Sequence, residues 1–105
     1  MNPAQKRAIQ QNWTYLLEHI TIEGTTLVDI LYQKEILTDD HMELIRVQAV
    51  TKEKITKLLD ILRRRGPNSF QGFLEALDES GQKFVADKLR TAFQPQDGQG
   101  GAMEM

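Results

Sequence analysis

Apolar residues recur along this chain at three- and four-residue intervals, the period of an α-helix. No run alternates with the period of two that marks a strand. Ile9, Trp13, Leu16, Leu17 and Ile20 line one face of a first predicted helix. Gly24 and the two threonines after it break that run. Leu27, Val28 and Leu31 open a short second helix, which the loop around Ile36 and Leu37 ends. Thr38 before Asp39 and Asp40 is a start signal, a hydroxyl cap followed by two acids at the positive end of the helix dipole. Met42, Ile45 and Ala49 give this third helix its inner side. Thr51 is predicted to cap a fourth helix with Ile55, Leu58, Leu59 and Leu62 inward. Arg63-Arg64-Arg65-Gly66 closes it, with cations at the negative end of the dipole and then a glycine stop. Pro67 prevents continuation. Asn68-Ser69-Phe70-Gln71 has capping-box spacing, and Phe70, Phe73, Leu74 and Leu77 follow at i, i+3, i+4 and i+7. A last helix starting near Ser80-Gly81 buries Val85, Leu89 and Phe93. The expected fold is all-α, a six-helix antiparallel bundle with short connections.

The pattern stops at Phe93. Residues 94–105, QPQDGQGGAMEM, have little to bury and are expected to form a flexible linker or tail after a folded unit of residues 1–93. The chain has 105 residues, 40% hydrophobic and 27% charged, which is the ordinary mix of one globular domain and not of a disordered tail. No stretch approaches the ~18 uninterrupted apolar residues of a membrane span, so no membrane partner is expected. The N-terminus lacks the apolar core of a signal peptide. There are no cysteines, which excludes a disulfide frame, a thiolate nucleophile and a Cys-ligated zinc site.

Catalytic chemistry is sparse. The two histidines, His19 and His41, fall at the edges of apolar stripes and outside any H-E-x-x-H run, which suits structural roles better than ligation or base catalysis. Asp39, Asp40 and Glu43 cluster as an acid/base pair would, yet two of them complement a helix dipole and the third sits on an exposed face. No GxGxxG or P-loop run offers a phosphate cradle. Asn12-Trp13-Thr14 matches a glycosylation sequon but lies inside a predicted helix, and Trp13 is expected to be core. No enzyme activity, cofactor or metal is expected.

Charge layout says more than the total. The balance of 13 Lys and Arg against 15 Asp and Glu leaves −2 overall. Residues 34–49, with Glu35, Asp39, Asp40 and Glu43 against Lys34 and Arg46, carry a net −2. Residues 50–65, with six cations against Glu53 and Asp60, carry a net +4. On a helical wheel Lys57 and Arg64 project almost opposite the inner face of the fourth helix, with Lys54 on its flank. The ordinary reading is a solvated mixed surface. The functional reading is a two-faced module whose opposite patches meet those of other copies or relatives, in a head-to-tail contact that can propagate. A reading of another class takes Arg63 to Arg65 as phosphate contacts of a small helical nucleic-acid-binding domain. However, a pI near 5.6 and the capping role of the triplet speak against a nucleic-acid partner.

In order, the segments LVDILYQKEILTDDHMELI and TKEKITKLLDILRRRGPNSFQGFLEALDESGQKFVADKL resemble a caspase recruitment domain (CARD), a six-helix member of the death fold. The resemblance runs from about residue 5 to residue 92. It implies homotypic binding to another CARD-containing protein (a caspase, an adaptor or an apoptosome-type scaffold), with self-assembly as a variant, in the cytoplasm and without catalysis. It also implies assembly of a caspase-activating complex in apoptosis, with a decoy inhibitor of caspase recruitment or inflammatory signalling as alternatives. In such domains a basic surface of helices one and four meets an acidic surface of helices two and three. Carried over, the basic residues are Lys6, Arg7, Lys54, Lys57 and Arg64, and the acidic ones Asp29, Glu35, Asp39, Asp40 and Glu43. Gln10, Gln11 and Asn12 stand where many caspase-type members carry arginines, so Lys6 and Arg7 are the cations left to helix one.

Overall fold

The computed structural model describes residues 1–93, so the expected linker at 94–105 lies outside the described residues. The described residues form seven helices, in order: α1 (Pro3–Gln11), α2 (Trp13–His19), α3 (Leu27–Gln33), α4 (Asp39–Arg46), α5 (Thr51–Arg63), α6 (Ser69–Glu79) and α7 (Lys83–Ala92). The fold is all-α as expected. The extra helix arises because the first predicted helix breaks at Asn12, whose side chain donates to the Ala8 carbonyl at 3.0 Å and competes with the backbone ladder. Both halves still face inward, with Ala8, Ile9 and Leu16 buried.

Local chemistry at several helix ends differs from the sequence-based expectation. At α4 the start is as read: Thr38 Oγ1 accepts from the His41 amide, and His41 Nδ1 accepts from the Thr38 amide. The same helix ends at Arg46, where Gln48 donates to the Leu44 carbonyl, so Ala49 is exposed beyond the helix and not on its inner side. Thr51 is the first residue of α5 and not its cap, since Val50 holds that position and Thr51 Oγ1 donates to Glu23 instead. Asn68 makes no side-chain cap. The buried Ser69 hydroxyl ties this corner to the carbonyls of Leu62 and Gly66. Ser80-Gly81 ends α6 and does not begin α7. Gly81 has φ +84°, a left-handed conformation that favours glycine, and the next amide, on Gln82, returns to Leu77.

At the centre is α6, which packs against α3, α5 and α7. Phe70, Phe73 and Leu77 are fully buried there with Ile55, Leu58, Leu59 and Leu62 of α5. Gly72 is a close-approach position, because a Cβ on it would run into Cδ1 of Ile36. The segment after α3 therefore closes directly onto the backbone of α6. Phe93 is half-buried, its ring 5.1 Å from that of Phe70.

Candidate interaction surface

The acidic residues sit on α3, on the turn after it and on the first turns of α4. Asp29, Glu35, Asp39, Asp40 and Glu43 are all exposed. Thr38 is extended at the cap, which turns the chain so that Asp39 and Asp40 open α4. Asp39 accepts a hydrogen bond from the Tyr32 hydroxyl at 2.5 Å, and that bond, followed by the carboxylate charge, pushes the Tyr32 pKa up. Glu43 pairs with Arg46 on the same helix. Among the described residues Asp29, Glu35, Asp39 and Asp40 make no ion pair, so four acids, one of them also bonded to Tyr32, remain available to another molecule. Leu44, Val47 and Val50 add exposed apolar area at the end of α4.

The basic residues lie on α1 and α5. Lys6 and Arg7 are exposed on α1. On α5 the wheel-based expectation holds for Arg64, which is exposed, and not for Lys57, which is half-buried. Ile61 is also buried, so the inner arc of α5 is wider than the four-residue stripe suggests. Lys54 is placed differently again. Its side chain is only 21% exposed and its Nζ lies 3.1 Å from Glu23 of the α2–α3 loop. A backbone hydrogen bond and then Lys54 hold the Glu23 carboxyl below its ordinary pKa. Lys54 also lines a groove with Asp29, Arg46, Ile22, Val28 and Met42, at the border of the acidic region. Glu23 and Tyr32 are the residues that the sequence reading passed over. Spacing carries no signal for either, because their partners lie beyond a loop or a turn.

The Arg63-Arg64-Arg65 run divides. Arg63 bonds Asp60 at 3.1 Å with its guanidinium 5.3 Å from the centre of the Trp13 ring, and Arg65 Nε donates to the Ile36 carbonyl at 2.8 Å. Arg64 is the member left outward. Trp13 is half-buried against the core, as expected of it. His41 is engaged in the α4 cap, and burial, then the nearby Arg65, push its pKa down, with Asp40 opposing. His19 is exposed and stacks on Tyr15 with ring centres 4.1 Å apart. Among the described residues no set of three His, Asp or Glu side chains converges as a metal ion requires, and no helix is long and apolar enough to cross a membrane. What the arrangement offers chemically is charge at fixed positions: unpaired cations on α1 and α5, unpaired acids on α3, α4 and the turn between them.

Comparison with known proteins bears on the family of the chain. A family model, the caspase recruitment domain, matches residues 6–92. Caspase-2 of Gallus gallus is 27% identical over 89 residues, a match that covers 85% of this chain and 20% of that protein. The chain therefore spans about a fifth of the length of this curated relative.

Proposed function

The chain belongs to the caspase recruitment domain family, whose members are non-catalytic protein-interaction modules, and from that premise we propose that it recruits a second such domain to build a caspase-activating complex. In this reading the cations Lys6, Arg7, Lys57 and Arg64 of one molecule meet Asp29, Glu35, Asp39, Asp40 and Glu43 of another, and the complex forms in the cytoplasm during apoptotic signalling. Lys54 takes a lesser part, since Glu23 already occupies it. The observation that carries the reading is a bias in unpaired charge: Lys6 and Arg7 on α1 and Lys52, Lys57 and Arg64 on or just after α5, where Glu53 is the opposing acid, against Asp29, Glu35, Asp39 and Asp40 on α3, α4 and the turn between them. Each contact of this kind is small, under ~1,200 Å², and gains strength by repetition. The chemistry of the partner follows: another six-helix domain with the complementary charge, such as a caspase, an adaptor or an apoptosome-type scaffold.

A nucleic-acid role rested on three adjacent arginines acting together. With Arg63 and Arg65 bonded inside the domain, a single arginine of the run is free to meet a phosphate.

The test is Lys57→Glu with Arg64→Glu. Binding to a partner domain is expected to fall at least ~100-fold, through both lost attraction and like-charge repulsion, while helical circular dichroism and the melting temperature stay near the parent's. Undiminished binding removes α5 from the contact.

A further inference from the structure

Arg65 lies two residues past the last residue of α5, and its guanidinium points toward the acidic region. Its Nε donates at 2.8 Å to the carbonyl of Ile36, which lies 29 residues earlier in the turn between α3 and α4. That turn needs holding. Glu35 has φ +64°, a left-handed conformation that a residue with a Cβ adopts at a cost. The amides of Ile36 and Leu37 share one acceptor, the Leu31 carbonyl, at 3.0 and 3.3 Å. The Ile36 side chain closes over Gly72 of α6, and Lys34 reaches Glu75 and Glu79 at 3.3 and 3.6 Å. Beyond the turn, Glu35 and Asp39 line the same shallow depression.

We propose that Arg65 is a positioning residue for the acidic surface: from the end of α5 it grips the Ile36 carbonyl and holds the turn in the form that sets Glu35 beside Asp39. This rests on the reading that the acidic surface receives a basic surface of a partner. Adjacent arginines then serve opposite sides of the assembly. Arg64 contributes to the basic contact directly, and Arg65 shapes the acidic contact without touching the partner. Its charge is one of the six cations in the net +4 of residues 50–65, but with its guanidinium on the Ile36 carbonyl it adds less to the basic surface than composition implies.

The experiment separates the two surfaces. One chain carries Lys57→Glu and Arg64→Glu and offers only its acidic surface. The other carries Asp39→Lys and Asp40→Lys and offers only its basic surface. Mixed, they are expected to form pairs that do not propagate, followed by calorimetry and sedimentation velocity. Arg65→Ala in the acidic provider is expected to weaken pairing by about tenfold or more, in keeping with loss of a hydrogen bond from a charged donor. The same change in the basic provider is expected to alter affinity less than about twofold. Arg65→Lys in the acidic provider keeps the charge but lacks the directed Nε–H, and is expected not to restore pairing. The reverse pattern, no loss in either provider, or full rescue by lysine each overturns the proposal.

Hydrogen exchange on the single chain gives an arm that needs no partner and no alanine. Arg65→Lys is expected to speed exchange at the amides of Glu35, Ile36 and Leu37 while those of Leu58 and Leu59 keep their protection. Turn amides as protected as in the parent overturn the proposal. If the two providers with Arg65 intact do not pair, the charge-pairing reading fails, and the exchange result still decides what Arg65 does.

Discussion

Among the described residues Gln82 is the one largely buried polar side chain that ties distant parts of the chain together, and replacing it with alanine tests how the α2–α3 loop is held. The side chain is in a residue 5% exposed. Its Oε1 accepts from the Thr21 amide at 2.8 Å, and its Nε2 donates to the Thr21 carbonyl at 3.0 Å and to the Ser80 hydroxyl at 3.1 Å. A neutral hydrogen bond contributes ~0.5–1.5 kcal/mol net. Thr21 is exposed, so its backbone groups regain water in the variant and the two bonds to it fall at the low end, about 1–2 kcal/mol together. One buried methylene lost with the amide adds ~0.8 kcal/mol. The sum is about 2–3 kcal/mol, which for a domain of this size lowers the melting temperature by roughly 10–20 °C. Calorimetry and urea unfolding measure it. Gln82→Glu sharpens the test, because it keeps the acceptor for the Thr21 amide but sets a carboxylate oxygen against the Thr21 carbonyl. That raises the carboxyl pKa in the folded state, so the folded state binds more protons and the deficit against the parent shrinks as pH falls. A melting temperature within about 3 °C of the parent's for both variants would refute the reasoning and mean that the loop is held elsewhere.

Two further outcomes follow from the core and from the α4 cap. Phe73→Ala removes a fully buried ring at the centre of α6 and is expected to cost ~3–5 kcal/mol, enough by urea titration to leave the domain marginal at 37 °C. His41 has a lowered pKa when folded, so the unfolded chain binds its proton more readily and stability is full above the ordinary imidazole value of ~6.5 and declines as pH falls through it. His41→Gln keeps an acceptor for the Thr38 amide, and the slope of melting temperature between pH 7.5 and 5.5 is expected to flatten; an unchanged slope assigns the titration to another group.

How much of this was readable beforehand depends on which physical property a residue type reports. Hydrophobic spacing placed the helices because an apolar side chain has one requirement, removal from water, and any inward direction meets it. Thus Ile55, Leu58, Leu59 and Leu62 were assigned to the core from their intervals, and all four are buried. The break at Asn12 was not readable, since an Asn amide bonding the Ala8 carbonyl and an Asn pointing to solvent have the same spacing. Asp39 and Asp40 open α4 and are exposed, as the start signal at Thr38 implies, because short carboxylates at a helix start have few places to go. Long cations are different. Lys54, Arg63, Arg64 and Arg65 belong to one charged stretch, yet they reach Glu23, Asp60, solvent and the Ile36 carbonyl respectively.

That divergence bears on how a charge-paired module of this kind is to be read. A segment sum of +4 counts Lys54 and Arg65 at full value, although Glu23 neutralises the first and the second is turned beneath the acidic turn. Interior and exterior charge also differ in how they respond to salt. Unpaired exposed cations such as Lys6, Arg7 and Arg64 lose attraction within a Debye length of ~8 Å at physiological ionic strength, whereas a partly buried donor such as Arg65 is screened much less. Raising salt should therefore weaken pairing between molecules while leaving the acidic turn in place, and Arg65→Ala should remove the turn's contribution at low salt and high salt alike. The two arginines that sequence alone cannot tell apart are separated by the ionic-strength dependence of their variants.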